Sequence, residues 1–75
     1  MQLTDIAPDD ILIFNEDLRI DDDYVINGML GHDVFVVDED GEVVDQIDID
    51  NLENTLKARV LEMIDNDKFE LSRNE

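Results

Sequence analysis

The 75-residue chain has no cysteine, no tryptophan, one proline and one histidine. Without cysteine, neither a disulfide nor a thiolate metal site can support the fold. No apolar stretch reaches the roughly 18 residues that a membrane-spanning helix needs. No apolar segment typical of a secretion signal follows Met1. These absences predict a cytoplasmic protein that does not interact with membranes.

Basic residues are scarce: 5 Lys and Arg stand against 22 Asp and Glu, giving a formal net charge of −17. A small domain usually carries a net charge of about 2 to 8 in magnitude. Such an acidic surface repels phosphate, so direct binding to nucleic acid is not expected. Because self-repulsion of this size destabilises a compact chain, we interpret the charge as serving the binding of a basic partner.

The charge and the apolar residues are both informative about domain organisation. Residues 1–50 carry 16 acids and one base, Arg19, whereas residues 51–75 are nearly balanced at a net charge of −2. Ile, Leu and Val contribute 8, 8 and 7 residues, which is enough for a small core. We predict a single domain over residues 1–71 with a frayed end at 72–75. A core of this size is marginal, so a homodimer is possible.

Residues 51–66 have the clearest pattern, which predicts an amphipathic helix. Asp50 and Glu53 suit a capping box at its start, and Lys57 is spaced to pair with Glu53. Leu61 projects away from the main stripe, either as an edge contact or as part of a partner surface. The apolar stripe consists of Leu52, Leu56, Val60, Met63 and Ile64.

A hairpin is predicted over residues 33–49. Residues 34–37 are β-branched or aromatic, as in strands, and residues 38–41 supply a turn in which Gly41 can take positive φ. Residues 42–49 then form the return strand. Strand alternation places Val43, Ile47 and Ile49 on one side, with Asp45 interrupting that side, and Val44, Gln46 and Asp48 on the other.

The first 32 residues are ambiguous between strand and helix. The apolar run at residues 11–14 suits a buried strand, but Pro8 followed by two acids suits a first helical turn. Asn27-Gly28 favours a hairpin within residues 24–30, with a short helix closed by Gly31 as the alternative. The whole pattern predicts a small α+β fold: an antiparallel sheet with a C-terminal amphipathic helix packed on it.

No pattern points to catalysis or to a cofactor. His32 is the single histidine, and no nucleophile lies at a signature spacing from it, so we predict a non-enzyme. The EF-hand pattern needs oxygen ligands at positions 1, 3 and 5 and glycine at 6, and the segments from Asp38, Asp48 and Asp65 all depart from it. We predict no metal site, although weak Ca²⁺ binding by residues 21–23 stays open.

The remaining interpretation is that the acids themselves form the binding surface. Alternate side chains on a strand are about 6.6 to 6.8 Å apart, a spacing of the same order as that of neighbouring phosphates. Carboxylates also pair bidentately with arginine, as phosphates do. The predicted partner-binding residues are Asp21, Asp22, Asp23, Asp38, Glu39, Asp40, Glu42, Asp45, Asp48 and Asp50.

In size and charge the chain resembles the small acidic nucleic-acid mimics that phages direct against host nucleases and defence systems, and acidic immunity proteins that block basic nucleases. The resemblance implies an inhibitor whose partner is a basic nuclease, recombinase or defence complex. The alternative is a protein–protein adaptor or oligomer subunit that binds through apolar surface, namely Ala58, Leu61 and the exposed side of the sheet.

Overall fold

The computed structural model describes residues 2–72, which form a five-stranded antiparallel sheet and one α-helix. The predicted α+β class with an antiparallel sheet is therefore confirmed. The strand order is β4-β3-β2-β1-β5, and the helix α1 (Asn54–Asp65) connects β4 to β5. The strands are β1 (Ile11–Arg19), β2 (Val25–Leu30), β3 (Asp33–Val37), β4 (Val43–Asp48) and β5 (Phe69–Ser72).

Strand β5 follows α1 along the chain and was not predicted, so the predicted C-terminal placement of the helix is not confirmed. Its four residues are too few to show strand alternation clearly, and it depends on pairing with β1, where Phe14 lies opposite Phe69 and Leu12 opposite Leu71. Ser72 ends this strand, and the rest of the predicted frayed end lies outside the described residues. The single domain over residues 1–71 stays a prediction.

One face of the sheet and one side of α1 share a hydrophobic core. Three of the five predicted stripe residues, Val60, Met63 and Ile64, are buried in this cluster, whereas Leu52 precedes the helix and Leu56 is not part of the cluster. Leu61 packs against the cluster as an edge contact. Each large side chain that is fully buried contributes about 1.5 to 3 kcal/mol. The strand residues of this cluster are Leu12, Phe14, Ile26, Met29, Val34 and Val36.

The helix begins three residues later than predicted because its upstream acids have other roles. Asp48 accepts a hydrogen bond from the Asp50 amide at 2.8 Å and so caps a short 3₁₀ helix over Ile49–Asn51. Glu53 is the N-cap residue of α1, but its side chain makes no capping bond. Lys57 pairs with Asp50, with 2.9 Å between Nζ and Oδ1, instead of with Glu53.

The predicted hairpin at Asn27-Gly28 is wrong, and so is the alternative helix. Residues 25–30 form one continuous strand with a bulge between Ile26 and Gly28. A Cβ atom on Gly28 would lie 2.4 Å from the Leu12 carbonyl oxygen of β1. Glycine is therefore needed here for a close approach of two strands, and the chain turns on either side of β2 instead.

The ambiguity over residues 8–18 is settled in favour of a strand. Residues 11–19 form β1, in which Leu12 and Phe14 are buried, while Pro8 and Asp9 lie in the turn before it. Between residues 2 and 72, no helix is long and apolar enough to cross a membrane.

Candidate functional site

Two acidic turns lie side by side at one end of the sheet. Because β1 to β4 run antiparallel in sequence, the β1–β2 turn and the β3–β4 turn project from the same end. Their centres are about two strand spacings apart, roughly 10 Å. We call this surface the acidic end. It comprises Asp21, Asp22, Asp23, Asp38, Glu39, Asp40, Glu42 and Asp45.

Two of these carboxylates build the turns. Asp21 Oδ1 accepts hydrogen bonds from the amides of Asp23 at 2.8 Å and Tyr24 at 3.1 Å. Asp38 Oδ1 accepts from the amides two and four residues later, both at 3.0 Å. Gly41 has a φ of 82°, as the turn prediction required. Asp21 and Asp38 therefore stabilise the turns that carry the other acids, and one oxygen of each is already used for this.

The remaining acids of the two turns project into solvent. Within the described part of the chain, the side chains of Asp23, Glu39, Asp40 and Glu42 have neither a hydrogen-bond donor nor a cation as partner. Asp22 lies 4.0 Å from Arg19, but both side chains are exposed, and such pairs contribute little free energy. The acidic end therefore keeps a strong negative field.

The acids along β4 do not form the predicted track. Asp45 is paired with the buried Val36, whereas Asp48 is paired with Asp33 on the opposite face of the sheet. Asp48 and Asp50 also lie at the far end of the strand and cap or pair with local groups. A straight row of carboxylates is absent from this strand as described, and the acids gather at the turns instead.

A β-bulge near Val44 changes the predicted alternation at the start of β4. Val43 pairs with Val37 while Asp45 pairs with Val36, so Val43 and Asp45 lie on opposite faces of the sheet. The prediction that Val43 shares a side with Ile47 is therefore wrong, whereas Asp45 does lie on the side of Ile47. The extra residue, Val44, lines the same groove as Asp45.

That groove was not foreseen from the sequence. It has a volume of about 380 Å³ and lies on the core-side face of the sheet, beside the acidic end. Three segments distant in sequence supply its lining, so no local motif could have indicated it. The lining residues are Ile20, Tyr24, Val36, Val44, Asp45 and Ile47.

The opposite face of the sheet carries exposed apolar side chains. Ile13 is 53% exposed and Val43 is 57% exposed. Phe35, on a strand that lies between theirs, is half-buried. Of the helix residues predicted for an apolar interface, Ala58 is exposed, whereas Leu61 is partly buried and packs against the core.

The contrast between Asp38 and Asp40 gives a prediction about stability. Both are single acids in one turn, so replacing either by alanine removes the same charge. We expect Asp38→Ala to lower the free energy of unfolding by about 1 kcal/mol, because two backbone amides lose their acceptor. Asp40→Ala should change it by less than about 0.5 kcal/mol. Urea unfolding followed by circular dichroism measures both, and equal losses would contradict the assignment.

His32 has a local structural contact: its Nε2 lies 3.0 Å from the carbonyl oxygen of Leu3, which ties the N-terminal segment to the β2–β3 turn. Across residues 2–72, no group of three or more histidine or acidic side chains is arranged to hold a metal ion. No protein-family model, curated protein or solved structure matches the chain.

Proposed function

We propose that the chain is a non-enzymatic inhibitor that occupies the nucleic-acid groove of a basic protein, such as a nuclease, a recombinase or a defence complex. The observation that supports this most is the acidic end: two neighbouring turns, with their centres roughly 10 Å apart, that present solvent-exposed carboxylates without a cationic partner. Carboxylates on these turns stand in for the phosphates of the nucleic acid.

The turns are suited to this role because they are held in place before binding. Asp21 and Asp38 fix the turn backbones, so the backbone that carries the exposed acids loses little conformational freedom when a partner pairs with them. The long-range field attracts a basic groove and raises the association rate, and salt screens this attraction. The proposal therefore implies fast binding that weakens steeply with ionic strength.

The test is a competition experiment. Proteins of the source cell that bind phosphocellulose are passed over the immobilised chain at low salt, and those eluted by salt are identified. Each is then mixed with a labelled DNA or RNA duplex, and the chain is added while fluorescence anisotropy is recorded. Displacement of the duplex is expected. A captured protein that binds the duplex and the chain together would contradict the proposal.

The second candidate function is a protein–protein adaptor, which the exposed Ile13 and Val43 on the open face of the sheet favour. Burial of apolar surface responds weakly to salt, whereas pairing with the acidic end responds strongly. An affinity that stays constant between low and moderate salt would therefore favour the adaptor over the inhibitor.

A further inference from the structure

The groove beside the acidic end is apolar on most of its surface. Ile20 and Tyr24 form one wall from the β1–β2 segment, Val44 and Ile47 form the other from β4, and Val36 lies between them on β3. Tyr24 is 40% exposed and Val44 is 50% exposed, so both walls are accessible from solvent. The groove is a surface on which an extended alkyl chain and a flat group can be packed.

A single carboxylate, that of Asp45, lies within this apolar lining. It lies on the same side of the sheet as Ile47 by regular strand alternation, and Val44, the extra residue of the β4 bulge, lines the groove beside it. Its Oδ1 accepts the Gln46 amide at 2.8 Å, and in the described residues neither of its oxygens is paired with a cation. Asp45 therefore has acceptor capacity left for a ligand in the groove.

We infer that this groove receives an arginine side chain of the basic partner, an inference that rests on the proposed function. The arginine stem packs on Val44 and Ile47, its guanidinium donates to Asp45, and its planar face stacks on the ring of Tyr24. A lysine would keep the charge but lose the planar stacking and the forked donors.

The charge of the surroundings selects this occupant over others. A neutral apolar side chain would bury Asp45 without a counter-charge, which is unfavourable. A second copy of this chain would bring another surface of the same sign, because each carries a net charge of −17. A group with an apolar stem and a positive, planar head satisfies both the walls and the carboxylate.

The test is a methyl-NMR titration of the intact chain with N-acetyl-arginine N-methylamide. We expect saturable shifts at the methyl groups of Ile20, Val44 and Ile47. The matched ligand is the citrulline analogue, which has a similar shape without the charge. We expect its apparent affinity, taken from the same methyl shifts, to be at least about tenfold weaker. Equal binding of the two ligands, or shifts confined to the turns, would overturn the inference.

Two matched variants locate the site. Asp45→Asn and Glu42→Gln each remove one negative charge from the acidic end, but Glu42 does not line the groove. We expect Asp45→Asn to weaken arginine binding about tenfold and Glu42→Gln to weaken it less than about twofold. Tyr24→Leu, which keeps an apolar wall, should also weaken it. Equal losses for Asp45→Asn and Glu42→Gln would overturn the inference.

These outcomes are separable from those of the duplex competition. Arginine binding in the groove without duplex displacement would support the inference of an arginine site and contradict the proposal that the chain is an inhibitor. Duplex displacement without arginine binding would support the proposed inhibitor function and overturn the inference of an arginine site.

Discussion

Replacing Glu39, Asp40 and Glu42 together by lysine is expected to weaken binding to the captured basic partner by at least about a hundredfold, while the domain stays folded. Each replacement removes one attraction and adds one repulsion, and close charge pairs in interfaces are coupled by about 1.5 to 7 kcal/mol. The three side chains are exposed and have no partner within residues 2–72, so the fold loses no contact. Calorimetry at low salt and a thermal melt measure both effects.

The matched control reverses Asp9, Asp65 and Glu70, which are also exposed but belong to neither of the two acidic turns. Both triple variants change the net charge from −17 to −11, because each reversal adds two units. We expect the control to weaken binding by less than about tenfold, through the screened long-range field alone. Equal losses in the two variants would show that total charge, and not its placement, determines binding.

Asp38 is left out of the charge reversal for a structural reason. Its Oδ1 accepts two backbone amides of the turn, so a lysine there would change the turn as well as the charge. Loss of binding in such a variant would not separate the two causes.

Gly28→Ala is expected to lower the free energy of unfolding by about 3 kcal/mol. The new Cβ atom would lie 2.4 Å from the Leu12 carbonyl oxygen, which is a backbone atom, and the two residues lie on neighbouring inner strands of the sheet. A chain of this length has a total stability of about 4 to 11 kcal/mol. A large part of the population would therefore unfold at modest urea concentrations, which circular dichroism would detect.

Gly41→Ala is the control for this substitution. Gly41 has a φ of 82° but no atom within 4 Å of its Cβ position, so alanine meets backbone strain and no clash. We expect a loss of about 1 to 2 kcal/mol there. If Gly28→Ala is no more destabilising than Gly41→Ala, then β1 and β2 do not approach each other as closely as described.

The sequence was most informative where local and tertiary preferences agree. Val60, Met63 and Ile64 recur at helical spacing, and the same residues are buried. The β3–β4 hairpin could be predicted because its turn contains an aspartate acceptor and a glycine with positive φ. At Asn27-Gly28, in contrast, a strong local turn signal is overridden by the packing of β2 against β1, which no local pattern reveals.

The candidate site also depends on tertiary structure that no local sequence pattern reveals. The acids of the two turns could be identified from composition, but their proximity depends on strand order. Which acids are used by the turns, as Asp21 and Asp38 are, follows from backbone geometry. The groove could not be predicted because its lining comes from three segments distant in sequence and because the bulge at Val44 changes the alternation that placed Val44 on the other side from Ile47.

The open sheet leaves β4 as an edge strand, and that edge carries exposed Val43 and Val44. An uncovered edge with apolar side chains is a template on which further copies can add strand by strand. The neighbouring carboxylates oppose such growth by repelling a second copy, so they protect the molecule against aggregation in addition to the binding role proposed for them. Near the sequence isoelectric point of about 4.1 this protection disappears. Colloidal stability and the proposed partner recognition thus depend on the same few side chains, and neutralising them for one purpose would compromise the other.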